Sequence, residues 1–355
     1  MQTNLRKAIS VLLVLALLLP VAAMAVQEVP DMEDVSPADW FYSYVTRSFH
    51  FGLTTGTGGD GFRFEPYRNV TRAEFVTMLG RLHEYFNEPI NAPDAPSFYY
   101  HYLNLAVAYG IVHGDGYGDL MPHVLITREQ MAVIVYRYVE AFGLCRHFAP
   151  QAHGAVPRDY QDISTWARHE VVQMMYRYWL MQGTGPDWAR MFNPQANSSR
   201  AEALTTLVRL GNVLYHAARF VLTISVEEAS LPQGERFRVH VELKNYSGED
   251  VEIAYDHLFF SSIPSWHGHR CECCGHFVAD APPPPRISLL EADGIKQNVL
   301  HSGNILEPGT YELRFSARFW LQFERYTSPG FPDTPIFLWD DRIEVWSNSV
   351  IITVR

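Results

Sequence analysis

Apolar positions recur with offsets of 3, 4, 7 and 11 residues in three stretches: Phe75, Met78, Leu79, Leu82 and Phe86; Met131, Ile134, Val135, Tyr138 and Phe142; Ala203, Thr206, Leu207, Leu210 and Leu214. Such offsets mark one face of an α-helix. Each stretch opens on Ser/Thr-x-x-Glu/Gln, namely Thr71 to Glu74, Thr127 to Gln130 and Ser199 to Glu202. That is a capping box, in which the hydroxyl and the carboxylate or amide satisfy orphan N–H groups at a helix start. From Phe220 the period changes from helical to two. Residues 221–226, 237–243, 311–319 and 350–354 alternate as strands do, with turns at 232–234, 247–248 and 307–309. The pattern predicts an all-β, immunoglobulin-like sandwich over 220–355.

Reading backwards from each box exposes a repeat. Pro66, Pro122 and Pro194 each lie six residues before the arginine of their box, preceded by the apolar plugs Phe64, Met121 and Phe192. Gly56, Gly114 and Gly183 close glycine-bearing loops 16, 14 and 17 residues before that arginine. Trp40, Phe98 and Trp166 stand 16 or 17 residues further upstream. Each unit therefore reads as helix, loop, helix, spanning 32–88, 92–143 and 159–216, with 144–158 as a linker. One helical hairpin cannot bury its stripe alone, so the three are expected to pack as an all-α body about a pseudo-threefold axis.

The capping box leaves the second position unexplained. Arg72, Arg128 and Arg200 put a cation in the first turn, against the helix macrodipole. An exposed Arg beside free N–H groups is a receptor for a carboxylate or phosphate, because the guanidinium fork binds such groups bidentately. On this reading Thr71 and Glu74 build the helix end, while Arg72 serves binding and contributes little to stability. The net charge of -11 excludes a general nucleic-acid surface, so any anion must be recognised locally.

Residues 1–25 read as a secretory signal peptide. Arg6 and Lys7 precede an apolar run from Ala8 to Leu19, and Ala23-Met24-Ala25 supplies a small-x-small cleavage site. No later stretch is long and apolar enough to cross a bilayer. His267, His269, Cys271, Cys273, Cys274 and His276 crowd a short segment. Thiolate and imidazole suit zinc, although the spacing matches no standard zinc pattern. In an exported chain the competing reading is a disulfide, within Cys271–Cys274 or to Cys145. No nucleophile elbow, zinc-protease motif or phosphate loop is present, so no catalytic residue or obligate cofactor is assigned.

The combination of Asp34-Val35 with Trp40, Phe51-Gly52-Leu53 with Gly56, Asp60-Gly61, Phe64 with Pro66, and Val70 through Phe75 resembles the S-layer homology domain. The likeness extends over three consecutive units. It implies an exported bacterial protein held noncovalently at the cell surface by secondary cell-wall polysaccharide, often pyruvylated, lying in grooves between units. It further implies that Arg72, Arg128 and Arg200 pair with acidic groups of the polymer, that Gly56, Gly114 and Gly183 let sugar approach the backbone, and that Trp40 and Trp166 stack on it. Asp34 and Asp162, at the heads of the first and third units, are counted with these residues as polysaccharide-binding. Phe98 in place of Trp, Gln130 in place of Glu and Trp179 in place of Gly depart from the pattern and predict one or two competent grooves. A wall-associated enzyme or metal protein acting through the Cys/His segment, and a structural S-layer component, are the alternatives.

Overall fold

The computed structural model describes residues 31–56, 62–87, 97–115, 118–149, 155–186, 190–233, 238–255, 259–262, 286–301, 309–319, 321, 323–328, 331–337, 343–348 and 350–355. The signal-peptide and Cys/His readings lie outside the described residues. Six α-helices are described: α1 (Tyr42–His50), α2 (Arg72–Phe86), α3 (Tyr100–Ala108), α4 (Arg128–Ala141), α5 (Arg168–Tyr176) and α6 (Arg200–Arg219). None is long and apolar enough to span a membrane.

Helices α2, α4 and α6 begin with reciprocal capping boxes. The Glu74 N–H donates to Thr71 Oγ1 at 3.2 Å and the Thr71 N–H to Glu74 Oε2 at 2.7 Å. Thr127 with Gln130 and Ser199 with Glu202 repeat the exchange. Phe75, Leu82, Met131, Val135, Ala203, Leu207 and Leu210 are fully enclosed, as the stripe requires. Burial goes further than the stripe. Val76, Thr77, Val133, Leu204, Thr205 and Val208 are buried as well, so these helices are surrounded rather than laid on a surface.

What joins the units is a closed ring of backbone hydrogen bonds just before the boxes. Val70 N–H donates to Ser198 O (3.1 Å), Ser198 N–H to Ile126 O (2.9 Å), and Ile126 N–H to Val70 O (3.0 Å). All three residues are inaccessible to solvent. The next N–H groups donate around the units in the opposite sense. Arg72 and Ala73 donate to Val124 and Pro122, Arg128 and Glu129 to Ala196 and Pro194, and Arg200 and Ala201 to Arg68 and Pro66. The expectation of free N–H groups beside each arginine is therefore overturned. The first two orphan donors of each helix are consumed by the neighbouring unit, and the capping hydroxyl takes the one at the fourth box position.

Each arriving segment turns through a left-handed residue placed directly before its proline: Glu65 (φ 60°), Met121 (φ 51°) and Asn193 (φ 57°). Met121 is thus a turn residue, and the partly buried Leu120 takes the place of the plugs Phe64 and Phe192. The expected linker also begins docked. Leu144–His147 forms a 3-10 turn, and Phe148 is buried with its ring 4.5 Å from that of Tyr178.

Helix α6 runs into strand β1 (Phe220–Val226) without an intervening residue. Antiparallel β1 pairs with β3 (Arg238–Asn245), and β3 with β7 (Ile295–His301). A second sheet has the order β11 (Ile343–Trp346), β8 (Gly309–Phe319), β12 (Val350–Val354), β2 (Ser230–Leu231), with β5 (Phe259–Ser262) also on β8. The pairs β4 (Val251–Tyr255) with β6 (Arg286–Leu290) and β9 (Phe323–Ser328) with β10 (Phe331–Phe337) are separate. Alternate residues of the two larger sheets, such as Leu222, Ile224, Val241 and Leu243 with Leu313, Phe315, Val345 and Ile352, form one core.

The helix-to-strand junction is fastened by Tyr246 N–H donating to Arg219 O at 2.6 Å. His216 stacks there against Phe220, and its Nδ1 is buried without a partner. Burial, then the Arg47 and Arg219 charges, push the ring's pKa down to about 3 from 6.5. Neutral His216 therefore contributes its stability in full above pH 6.5, and that contribution is lost as pH falls toward 3 because only the unfolded chain takes up the proton. Chemical-denaturation curves across that window should show stability falling with pH, by at most about 1.4 kcal/mol per unit from this group. His216→Gln should flatten the slope, and an unchanged slope would contradict the assignment.

Candidate functional site between the units

Because the ring fixes the three helix starts, each box arginine projects across a contact between units. Arg72 Nη2 donates to His113 O at 2.6 Å, Arg128 Nη2 to Gln182 O at 2.8 Å, and Arg200 Nη2 to Thr54 Oγ1 at 2.7 Å. Each thus grips the loop of the following unit within two residues of Gly114, Gly183 or Gly56. Arg72 is 8% exposed and Arg128 6%, and Arg200 is partly buried, against the expectation of exposed side chains. The cause is the rotation of the units, which lays the next loop over each guanidinium. Removing Arg72 must therefore cost stability, contrary to the sequence reading.

The three clefts differ in charge. All three nitrogens of Arg128 are engaged: besides the Nη2 bond, Nε donates to Phe192 O at 2.8 Å, Nη1 to Glu202 Oε1 at 2.6 Å, and the guanidinium lies 5.0 Å over the Phe192 ring. Glu202 serves two masters, since its Oε2 completes the α6 cap. Glu74, at the same place in the first unit, gives Oε1 to Arg68 Nη2 at 2.8 Å instead of to Arg200. Burial alone would raise the Glu74 pKa, but the Arg68 and Thr71 hydrogen bonds outweigh it and hold the carboxyl below its usual range. Facing Arg72 the fourth position is Gln130, which is neutral. Arg72 Nε and Arg200 Nε are buried without hydrogen-bond partners.

Basicity follows the same division. Burial lowers all three arginines. Arg137 lowers Arg72 further, whereas Glu202 and Asp159 act to raise Arg128. Around Arg200 the cations Arg68 and Arg81 oppose Glu74 and Glu65.

The loop glycines are required by close approach. A Cβ on Gly114 would lie 2.7 Å from Asp119 O, and one on Gly183 2.5 Å from Met191 O. At Gly56 a positive φ of 76° adds to contact with the Phe62 ring. Trp179 holds the left-handed conformation (φ 55°) that Gly52 and Gly110 adopt in the other units, so the turn survives the lost glycine. Trp40, Phe98 and Trp166 are 58%, 61% and 51% exposed, which removes them from the core.

Asp34 accepts the Phe64 and Glu65 N–H groups at 2.8 and 2.7 Å, holding the turn before Pro66. In the third unit Asp159, not Asp162, accepts the matching Phe192 and Asn193 N–H groups at 2.8 and 2.7 Å. Asp162 is exposed in a 3-10 turn, where it cannot do what Asp34 does. The sequence reading also passed over Glu129. Buried at 3% exposure, it accepts from Ser164 N–H and Oγ and from Gln195 Nε2, tying the third unit to α4. Its signal was available: the third box position is Ala73 and Ala201 elsewhere.

The sequence pattern of the S-layer homology domain matches residues 31–76 and 93–132 of this chain. An endoglucanase of Bacillus sp. (strain KSM-635) is 29% identical over 229 residues, 60% of this chain and 24% of that protein. An amylopullulanase of Thermoanaerobacterium thermosulfurigenes is 31% identical over 153 residues, 42% of this chain and 8% of that protein. The S-layer protein sap of Bacillus anthracis is 29% identical over 194 residues, 52% of this chain and 21% of that protein. The chain thus spans a quarter or less of the length of each of these three relatives.

The unequal bonding of the arginines sets an order of stability losses. Arg128→Ala should cost about 3 kcal/mol, because it breaks three charge-assisted bonds and strands Glu202. Arg72→Ala, which breaks the one bond to His113 O, should cost about 1–2 kcal/mol. Denaturant unfolding would check the order, and equal losses would contradict it.

Proposed function

We propose that this chain is an exported bacterial surface protein held noncovalently to cell-wall polysaccharide through the clefts between its helical units, and that it displays an immunoglobulin-like β-region outward. The observation that carries this reading is the cyclic placement of Arg72, Arg128 and Arg200. Each sets a buried or partly buried cation against the loop of the next unit, where an acidic group of a polymer would meet a guanidinium shielded from water. The exposed Trp40 and Trp166 supply flat apolar faces on the same units, suited to stacking on sugar rings. The match to the S-layer homology domain and the likeness to two kinds of protein, polysaccharide-acting enzymes and S-layer proteins, agree on a shared attachment module rather than a shared reaction. Pyruvate ketals would provide the carboxylate. The three units would act together because every cleft needs two of them.

Sedimentation of the purified chain with cell walls tests this. Binding should be saturable and should fall by about tenfold or more on walls stripped of pyruvate ketals by mild acid. Trp40→Ala, at an exposed position, should weaken binding without lowering the melting temperature. Full binding to stripped walls would remove the carboxylate from the account.

A further inference from the structure

The helical body and the β-region are joined by one peptide link, Arg219-Phe220, and a single link leaves two bodies free to swing unless other contacts hold them. Phe220 belongs to both sides. Its N–H donates to His216 O as the last bond of α6, while its ring is inaccessible to solvent and lies 5.1 Å from that of Phe319 in the core of the β-region. Beside it, Tyr246 N–H reaches Arg219 O, and Glu249 Oε2 stands 3.7 Å from Arg219 Nη2. The segment that brings these two residues is stiff, because the fully buried Asn245 directs its Nδ2 at Glu249 O, Leu290 O and Glu291 O at 2.8, 3.1 and 2.9 Å. Both contacts fall on the end of α6. They mark out a hinge there and do not by themselves fix an angle.

A third contact comes from a different part of the chain. The 3-10 turn Leu144–His147, which follows α4, lies against both α6 and β11, and β11 lies against α6. The turn is anchored in the helical body: Leu144 and Cys145 pack on its core, Phe148 is buried against Tyr178, and Arg177 Nε donates to Ala149 O at 2.7 Å. Strand β11 is anchored as firmly in the β-region. Ile343 and Val345 are buried in the core there, and residues 343–346 pair with 316–319 of β8. Trp346 alternates with those two and is half-buried from outside that core, the side open to α6 and the turn.

From these contacts we infer that Leu144–His147 is a wedge that holds the β-region at one angle to the helical body, and that without it the β-region swings about Arg219-Phe220. The turn opens the connection that leads from the second unit to the third. The segment that joins two units of the helical body therefore also sets the direction of the β-region. This goes beyond the attachment reading and does not need it. Where the helical body is held at a wall, the consequence is a β-region presented at one fixed inclination instead of on a loose tether.

Amide 15N relaxation of the full chain tests this, because it gives a rotational tumbling time for each part separately. Amides of α2 and α4 report the helical body, and those of β3 and β8 the β-region. The unsubstituted chain should give one shared time. A variant combining Leu144→Gly, Cys145→Ser, Arg146→Gly and His147→Ser should give two, with the β-region tumbling faster by about 1.5-fold or more. The amides of Val70, Ile126 and Ser198 should keep their shifts in that variant, which shows the helical body intact. Trp346→Ala opens the same contact from the β side and supplies the reading if the turn variant loses those shifts.

Two times in the unsubstituted chain, or one shared time in the folded turn variant, would overturn the inference, as would one shared time in Trp346→Ala where that variant supplies the reading. Wall sedimentation is a separate readout. Failure of the unsubstituted chain to bind walls would sink the attachment reading and leave the tumbling times, and the wedge, as they are.

Discussion

The ring formed by Val70, Ile126 and Ser198 is the constraint on which the helical body depends. Each backbone group in it is out of solvent and has its partner in another unit, so no unit can satisfy its own helix start alone. An unpaired buried N–H costs about 1–3 kcal/mol, and the ring with its flanking bonds accounts for nine such donors. Packing of the α2, α4 and α6 stripes makes the body stable. The ring makes it cyclic, and it decides which loop each arginine reaches.

That cyclic arrangement changes what an arginine in the first turn is for. A cation at a helix N-terminus is unfavourable in isolation. Here the local N–H groups are already bonded to carbonyls, and the guanidinium bridges to the next unit's loop. On the proposed reading, structural and binding duties fall on the same side chain. Arg128 shows the structural extreme, with all its bonds made inside the protein. Arg72 makes one such bond, to His113 O, and its Nε is buried without a partner.

Much of the helical body was legible in the sequence because its signals are local. Capping boxes, helical offsets and the proline spacing are properties of short segments, and they located the starts of α2, α4 and α6 to the residue. Strand alternation likewise placed β1, β3, β8 and β12 to within a few residues. Partnership between units was not legible. Free N–H groups at the boxes, exposed arginines and Asp162 as the counterpart of Asp34 all failed for one reason: the carbonyls and loops that cover or replace them come from elsewhere in the chain. Asp159 does the work of Asp34 from three residues earlier than the pattern places it, a choice set by the path of the loop. The exposure of Trp40 and Trp166 was likewise left open by a sequence that suits either a core or a surface.

The central claim is that an acidic glycan is held by the box arginines at the contacts between the helical units. The most direct measurement is a crystal structure of the chain with a glycoside bearing a pyruvate ketal. The account predicts the ketal carboxylate within hydrogen-bond distance of the guanidinium of Arg72, Arg128 or Arg200, with the sugar near the glycine of the facing loop. A glycoside found only on the β-sheets would contradict it.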